Sequence, residues 1–522
     1  MTIRSLNMTA TGEQSPFNAE FDQLVTDTLG TWKIPGLSIA IVHGAHTHSK
    51  AYGLAEFPNK NMTTDALFPA ASTTKAFTSA ATSMVIKDSK YTESPIDWDT
   101  PISSLIPDDF ALADDYLTAH TTLEDALSHR TGQPGHNWML SYTPEDATPQ
   151  DLVRSLRHLP ISHPPRTHFQ YTNNMFIAVT HALHEITGIP LGRILKQRIW
   201  EPLNMNETFF GVPEAQSNPS AAGRIAEGYT WSPDSEGGFY SKESQPSWRA
   251  NTGAGAIVSS VLDYSKWIRE QIEKSGPLKD HDSLIKPRTF HFEEGDLNLP
   301  SPYHAYALGW FVDNYRGQNL YHHTGSWPGY GSFVGFIPDK QFGFVMMGNS
   351  ATARNGTLKL VIHLIDKLLG PSTDPLLNER MTACFKRQME EREQMMEDLQ
   401  RSTEDVKKRL FLRLPDPPIP HSLDLEKYAG TYKHPANASV TIKFEDGKLF
   451  TEKTQGALPS VLDLTHASGN FFVGRTKTFN LALMVPFIVE FWIDSTGSVR
   501  KVGMDVEPSL KGEMIWFERC EV

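Results

Sequence analysis

The hydrophobic pattern changes its period four times along the first 370 residues of the chain. Apolar residues recur at helical spacing from Phe17 to Leu29, and residues 37–42 and 50–54, separated by turn residues, are predicted as the two strands of a hairpin. Helical patterns then fill the middle of the chain, where Gly188 and Pro190 separate two predicted helices within residues 174–201. Later elements are predicted as strands at 307–314, 332–337 and 342–347 and as a helix at 358–369.

The order of these elements predicts the architecture of a first domain. A hairpin near the start and several strands near the end favour an antiparallel sheet that is assembled from both ends of the domain. The helical middle would pack beside this sheet as an insert. We therefore expect an α+β fold over residues 1–370.

A different pattern begins after residue 370. Residues 381–412 carry a stripe of apolar residues at helical spacing between mixed charges, and the Pro-rich segment 415–420 ends that helix. We favour a linker helix over 371–420 that docks one face on a domain, rather than a partner-binding coiled coil, whose heptads should persist for longer. Short strand-like runs broken by turn residues then predict a small antiparallel β-barrel over 421–522.

Composition limits the classes of partner and the compartment. Of the 522 residues, 39% are hydrophobic, which is ample for more than one core, and the formal net charge is −13. This charge disfavours nucleic acid or an anionic membrane surface as a partner. The chain has two cysteines far apart, Cys384 and Cys520, and its first residues lack the apolar core of a signal peptide, so we expect a cytoplasmic protein.

The candidate chemistry centres on Ser72 and Lys75. On a helix, positions i and i+3 share a face, so the serine hydroxyl and the lysine amine can touch without further folding. Pro69 and the small residues that follow predict a helix that begins near the serine, where free N–H groups favour developing negative charge. The pair therefore offers a nucleophile beside a base.

The same spacing also occurs without function. About two Ser-x-x-Lys matches are expected by chance in a chain of this length. Ser283 and Lys286 run into Pro287, and Ser498 and Lys501 follow a turn between strand-like runs, so neither pair lies at a predicted helix start. The Ala-rich helix after Ser72 also fits a buried helix with closely packed small residues, and the spacing alone leaves both interpretations open.

Two later segments can complete a catalytic site. Tyr171 and Asn173 point the same way if the backbone is extended there, and a phenol near Lys75 can share its proton. A strand-like segment then leads to His323, where the following glycine lets the backbone approach a ligand closely and the N–H of Ser326 points inward.

The order of these motifs carries a family resemblance. Ser72-Thr73-Thr74-Lys75, Tyr171-Thr172-Asn173 and His323-Thr324-Gly325 resemble the three motifs of the class C β-lactamase-related serine hydrolases, which include penicillin-binding proteins, esterases, D-aminopeptidases and transesterases. Further segments of the sequence, including LEDALSHRTGQPGH and AGAIVSSVLDYSKWI, extend the resemblance over roughly residues 17–370. The segment from LEKYAGTY to FEDGKL resembles the lipocalin-like domain that follows some members.

The resemblance implies roles for the motif residues. Ser72 would attack an ester or amide carbonyl and form an acyl-enzyme, with Lys75 and Tyr171 as general base and no metal or other cofactor. Backbone N–H groups of Ser72 and Ser326 would hold the oxyanion. The remaining positions are assigned to substrate binding: Asn173, His323, Thr324, Gly325 and the aromatic wall candidates Trp138, Trp327 and Tyr330.

The third motif departs from the Lys-Thr-Gly of true β-lactamases and penicillin-binding proteins. A histidine is mostly neutral near pH 7 unless its surroundings raise its pKa, so tight binding of a substrate carboxylate by His323 is not implied. Hydrolysis of a small-molecule or peptide ester or amide is the favoured function. Two alternatives stay open, namely an acyltransferase or cyclase that passes the acyl group to an alcohol or amine, and a non-catalytic binding protein that has kept the fold.

Overall fold

The computed structural model describes residues 15–520 with the exception of 145, 234–236, 247–251, 292–298, 437, 455–457 and 479–485. Within these residues, no helix combines the length and the apolar character that a membrane crossing requires.

A large antiparallel sheet organises the first domain. The N-terminal strand Gly36–His43 pairs on one side with His46–Glu56 and on the other with Phe342–Gly348, so that Leu37 lies opposite Gly348. This pairing confirms the prediction of a sheet assembled from both ends of the domain. The strands in the described part of this sheet are, in spatial order, Lys60–Asn61, His46–Glu56, Gly36–His43, Phe342–Gly348, Tyr330–Ile337, Gln318–Trp327, Phe311–Tyr315, His304–Tyr306 and Thr289–His291.

Both faces of the sheet are covered, which explains why its central strands are almost continuously hydrophobic. On one face, Ile39 and Ile41 pack with the helices Ala19–Trp32 and Leu358–Leu369. On the other face, Ala40 and Val42 join the core that surrounds the helical insert. The predicted terminal helix over 358–369 is confirmed.

The helix Thr74–Ser89 runs through the core of the helical layer. Nearly all its side chains are buried, and its many Ala, Ser and Thr residues let neighbouring elements approach closely. Phe77 stacks on Trp267 with 4.1 Å between ring centroids. The α-helices of this domain are Ala19–Trp32, Thr74–Ser89, Ile102–Leu105, Asp115–His120, Leu123–Leu127, Met139–Tyr142, Pro149–Ser155, Asn173–Thr187, Leu191–Leu195, Val212–Ser217, Thr252–Gly255, Val261–Glu273, Ala353–Gly356 and Leu358–Leu369.

Short elements connect these helices to the sheet. A three-stranded sheet joins Phe68–Pro69, Ile257–Ser259 and Phe209–Phe210, and a hairpin joins Tyr229–Ser232 to Phe239–Lys242. The remaining helical turns of the described chain are Ala71–Thr73, Leu156–His158, Lys196–Trp200, Asp282–Ile285, Pro338–Lys340, Leu425–Tyr428 and Pro508–Leu510.

The linker differs from the single helix that the stripe predicts. Two helices, Pro375–Gln400 and Thr403–Leu410, are separated at Arg401 and Ser402 because the Ser402 hydroxyl caps the second helix by accepting from Asp405 N. Met381 and Cys384 are buried against the outer face of the first domain. The linker therefore docks one face on that domain.

The C-terminal region forms a closed antiparallel barrel, as the sequence predicts. Charged and glycine positions interrupt the apolar alternation of two of its strands, Gly430–His434 and Val499–Met504, so their sequence pattern is weak. The described strands follow one another around the barrel as Gly430–His434, Ala438–Glu445, Lys448–Thr451, Ser460–Ser468, Phe471–Thr478, Phe487–Ile493, Val499–Met504 and Ile515–Arg519.

The barrel packs against the segment that precedes the second motif. Tyr142 lies in the hydrophobic cluster of the barrel, and Trp138 packs on the same cluster from the edge. The two regions thus meet beside the candidate site.

Candidate active site

Ser72 lies in a tight turn whose conformation is fixed from several sides. It belongs to the 3₁₀ turn Ala71–Thr73, and the α-helix starts two residues later at Thr74. Ala71 has φ 50°, which is strained for a residue with a Cβ and persists where the surroundings impose it. Ala70 supplies that constraint, since its N–H donates to the carbonyl of Ile257 and its carbonyl accepts from the Ser332 hydroxyl at 3.0 Å.

Lys75 is fully buried and faces neutral oxygen atoms. Its Nζ lies 3.2 Å from Ser72 Oγ, 2.8 Å from Asn173 Oδ1 and 3.0 Å from the Ala254 carbonyl oxygen. Among the described residues, no carboxylate forms an ion pair with this amine. Burial therefore lowers the pKa of Lys75 well below its usual value, because the charged ammonium is poorly solvated there.

The second motif is presented by an extended residue followed by a helix. Thr172 is extended and buried, and the helix Asn173–Thr187 begins directly after it. Lys75 Nζ lies 4.8 Å from the centroid of the Tyr171 ring, so the structure brings Ser72, Lys75, Tyr171 and Asn173 together. The Tyr171 ring also packs on His129, with 4.3 Å between ring centroids.

The third motif lies on Gln318–Trp327, an interior strand of the sheet, beside the nucleophile turn. A Cβ built on Gly325 would lie 2.3 Å from the Ala70 carbonyl oxygen. The glycine is thus needed because this strand approaches the turn that carries Ser72 closely. The sequence alone had instead suggested that the glycine allows a close approach to a ligand. Thr324 is buried, and Ser326, on the same strand, is partly exposed.

His323 is buried, and both of its ring nitrogens contact the protein. Its Nδ1 lies 2.7 Å from the Thr324 carbonyl oxygen, which can only accept, so Nδ1 carries a proton. Its Nε2 lies 2.9 Å from the Tyr306 hydroxyl and accepts from it in the neutral ring. The structure thus gives His323 Nε2 the Tyr306 hydroxyl as a hydrogen-bond partner.

The three aromatic wall candidates lie in different surroundings. Trp138 is partly exposed and contacts Phe487 of the barrel, with 5.3 Å between ring centroids. Trp327 and Tyr330 are buried, and the Tyr330 hydroxyl donates to the Ala226 carbonyl at 2.9 Å. Trp138 is thus the candidate placed at the surface, and the substrate-binding role of all three stays a prediction.

Several residues of the site were not singled out from the sequence. His129 accepts from Thr172 N at 3.1 Å, and burial lowers its pKa well below the usual value. Asn137 accepts from Asn173 Nδ2 at 3.0 Å. His129 and Ala254 lie within the segments that carry the family resemblance, which was the available signal, whereas nothing in the local pattern marks Asn137 or Tyr306.

In the described part of the chain, His, Cys, Asp and Glu side chains form no group of three or more that could hold a metal ion. The arrangement offers instead a hydroxyl, an amine held among neutral groups and a phenol. These groups suit proton transfer during attack on a carbonyl carbon.

The fold and the site together define the class of protein, a serine hydrolase with the β-lactamase fold. Comparison with known families agrees, and the chain belongs to the Beta-lactamase family, which matches residues 21–366. A second match, over residues 414–519, is to a domain of unknown function (DUF3471) and includes the barrel.

Relatives and solved structures extend this assignment. The chain is 33% identical over 515 residues to the unguisins hydrolase ungD' of Aspergillus campestris, covering 97% of this chain and 92% of the relative. A penicillin-binding protein homologue from Pyrococcus abyssi, described as octameric, shares the fold over 96% of this chain and 99% of its own, with TM-score 0.58 and 19% identity. The D-amino acid amidase of Ochrobactrum anthropi shares it over 67% of this chain and its full length, with TM-score 0.55 and 23% identity.

Proposed function

We propose that the protein hydrolyses an amide or ester bond through an acyl-enzyme on Ser72, with Lys75 as the general base. The observation that carries this proposal is the surroundings of Lys75, which is completely buried and contacts three uncharged oxygen atoms. A buried lysine without a counter-ion is costly to keep as an ammonium and is therefore held as an amine. An amine can accept the proton of a serine hydroxyl.

The hydrogen-bond inventory of Lys75 specifies where its lone pair points. A neutral amine has two N–H groups and one lone pair. The Ala254 carbonyl and Asn173 Oδ1 can only accept, so they take both N–H groups. The lone pair is left for the third neighbour, the Ser72 hydroxyl at 3.2 Å, whose proton then points at the nitrogen.

The reaction follows from this arrangement. Ser72 Oγ forms a bond to the carbonyl carbon while its proton moves to Lys75 Nζ, and backbone N–H groups of Ser72 and Ser326 stabilise the oxyanion. The proton then passes to the leaving nitrogen or oxygen as the scissile bond breaks, with Tyr171 as the relay beside Lys75. A water molecule then attacks the carbonyl carbon of the resulting ester while Lys75 takes one of its protons. The bond to Ser72 Oγ breaks, that proton passes to Ser72, and the product leaves as a carboxylic acid.

Hydrolysis is favoured over acyl transfer by the full-length relative. The unguisins hydrolase matches this chain at 33% identity over both the catalytic and the barrel regions. We therefore propose unguisins, or compounds that share their scissile bond, as the first substrates to test. A purely non-catalytic binding protein would have no need for a desolvated Lys75, which costs stability.

An acyl-ester or fluorophosphonate probe followed by peptide mass spectrometry tests the mechanism. We expect an adduct on Ser72 and, because a general base contributes about 10²- to 10⁴-fold, a loss of that size in Lys75→Ala. Ser283→Ala removes the serine of another Ser-x-x-Lys spacing and should label at the wild-type rate. Absence of an adduct on Ser72 in the wild type, or equal labelling in Lys75→Ala, would overturn the mechanism.

Product analysis in oxygen-labelled water tests the acyl acceptor. Unguisins are incubated with the wild-type protein and with Ser72→Ala, in the presence and absence of added amines. Hydrolysis requires the heavy oxygen in the new carboxyl group and no product in Ser72→Ala. A product that carries the amine in place of the heavy oxygen would instead establish acyl transfer.

A further inference from the structure

Residues 133–142, here called the wall segment, lie between the catalytic residues and the barrel. From the catalytic side, Asn174 Nδ2 donates to the Gly135 carbonyl at 3.3 Å, and Asn173 Nδ2 donates to Asn137 Oδ1 at 3.0 Å. A Cβ built on Gly135 would lie 3.1 Å from Asn137 Nδ2 and 3.3 Å from the Tyr171 carbonyl oxygen. The wall segment is thus packed tightly on the second motif.

The barrel holds the same segment from the other side. Glu507 Oε2 accepts from the backbone N–H of His136 at 2.7 Å, and its other oxygen accepts from Ser509 N at 3.3 Å. Glu507 is only 7% exposed, so this contact is shielded from water. The barrel residue Phe487 packs on Trp138 in the same segment.

The backbone of His136 needs this support. Its φ is 46°, an unfavourable value for a residue with a Cβ, and such conformations persist when neighbouring groups impose them. The side chain is anchored by a hydrogen bond from Nε2 to the Pro160 carbonyl at 2.9 Å. Without the Glu507 carboxylate, a buried N–H loses its acceptor at a strained position.

Asn137 follows His136 directly, so the backbone at His136 sets where the Cα and Cβ atoms of Asn137 lie. Asn137 Oδ1 in turn binds Asn173 Nδ2, which leaves Asn173 Oδ1 facing Lys75. A flipped Asn173 amide would present its NH₂ group to Lys75. The lysine lone pair would then accept from Asn173 and be withdrawn from Ser72.

We propose that Glu507 is a positioning residue through which the barrel completes the active site, by holding the wall segment so that Asn137 orients Asn173 toward Lys75. This inference rests on the proposed function in assigning Lys75 as the base. It gives the C-terminal domain a role in catalysis across the domain boundary.

Two measurements on the full-length protein test the proposal. The first is hydrogen exchange of the wall segment, which reports the hold of Glu507 on His136 independently of any chemistry. The second is the rate of Ser72 labelling by a small fluorophosphonate. The variants are Glu507→Ala, Glu507→Gln, which keeps an acceptor oxygen, and Glu513→Ala, which removes an exposed carboxylate from the barrel as a control.

We expect Glu507→Ala to increase exchange in the wall segment and to slow labelling by about 10- to 100-fold, as for a lost charge-assisted hydrogen bond. Glu507→Gln should label within about threefold of the wild type, since its amide oxygen can accept from His136. Glu513→Ala should change neither measurement. In an Asn137→Ala background, Glu507→Ala should add little further loss, because both act on Asn173.

Three outcomes would overturn the inference. These are unchanged exchange in Glu507→Ala, increased exchange with an unchanged labelling rate, and a loss that is fully additive with Asn137→Ala. Failure of the proposed function gives a different result, in which the wild type is not labelled at Ser72 or Lys75→Ala labels equally. In that case the link between Glu507 and Lys75 is rejected, and the hydrogen-exchange measurement alone decides whether Glu507 holds the wall segment.

Discussion

Asn173→Asp replaces the carboxamide beside the proposed base Lys75 with a carboxyl group. The substitution therefore tests the effect of charge on Lys75 separately from the effect of side-chain geometry. The substitution places a carboxylate where Asn173 Oδ1 lies 2.8 Å from Lys75 Nζ. At an effective dielectric constant of about 20, two unit charges at that distance attract by about 6 kcal/mol. This attraction raises the pKa of Lys75 if the new carboxyl group is ionised.

The sign of the effect on activity follows from the role of Lys75. Only the uncharged amine accepts the Ser72 proton, and burial keeps the pKa of Lys75 low in the native protein. The added carboxylate favours the ammonium, so Ser72 labelling at pH 7 should fall by at least about 100-fold. Each pH unit by which the raised pKa exceeds the pH lowers the fraction of uncharged amine about tenfold. Labelling should recover as the pH is raised.

The assay is the pH dependence of Ser72 labelling by an activated ester. Asn173→Ala is the matched control, because it removes the same acceptor without adding a charge. We expect Asn173→Ala to label slowly at all pH values, while Asn173→Asp shifts the pH of half-maximal labelling upward. If Asn173→Asp is half-maximal at the wild-type pH or below it, Lys75 is not the titrating base.

Three further substitutions test the support of the site. Burial raises the pKa of Asp313, but hydrogen bonds from two histidines outweigh this and lower it to about 2, so Asp313→Asn should lose about 2 kcal/mol of urea-measured stability at pH 7. That difference should be full above about pH 5 and shrink as the pH falls from about 4 to about 2. A difference at pH 2 as large as that at pH 7 would contradict the prediction. Tyr306→Phe removes the hydroxyl that donates to His323 Nε2 and should cost about 1–3 kcal/mol of stability in the same assay. An unchanged stability would refute that hydrogen bond. Gly325→Ala places a Cβ 2.3 Å from Ala70 O and should slow Ser72 labelling at least about tenfold. Labelling at the wild-type rate would show that the strand can move away from Ala70 without disturbing Ser72.

The parts of the site that are local in sequence could be predicted, because their geometry is fixed by the backbone period. Ser72 and Lys75 are three positions apart, and Tyr171 and Asn173 flank one extended residue, so each pair faces one way in any fold that keeps those elements. The hairpin strands and the terminal helix were likewise predictable from apolar period alone. The pairing of the N-terminal hairpin with the later strands is predicted by the order of the elements, because strands at both ends of the domain are expected to join one sheet.

The rest of the site depends on contacts that no local pattern encodes. The Ala254 carbonyl is a backbone group, and any residue at that position would supply it. Tyr306 reaches His323 from a strand that lies two positions away in the sheet, and Glu507 reaches His136 across 371 positions of sequence. The break between the linker helices did carry a local signal, since Ser402 precedes Asp405 at capping spacing, and the continuous apolar stripe obscured it.

The pairing of Gly36–His43 with Phe342–Gly348 also sets the order of events on the ribosome. At about 5–20 residues per second, the roughly 300 residues between these strands take about 15 to 60 s to synthesise. During that time the nascent hairpin has an unpaired edge, which can associate with other chains. The segments that contain Ser72 and Tyr171 therefore leave the ribosome well before the strand that completes their supporting sheet, and chains interrupted before residue 342 are expected to aggregate.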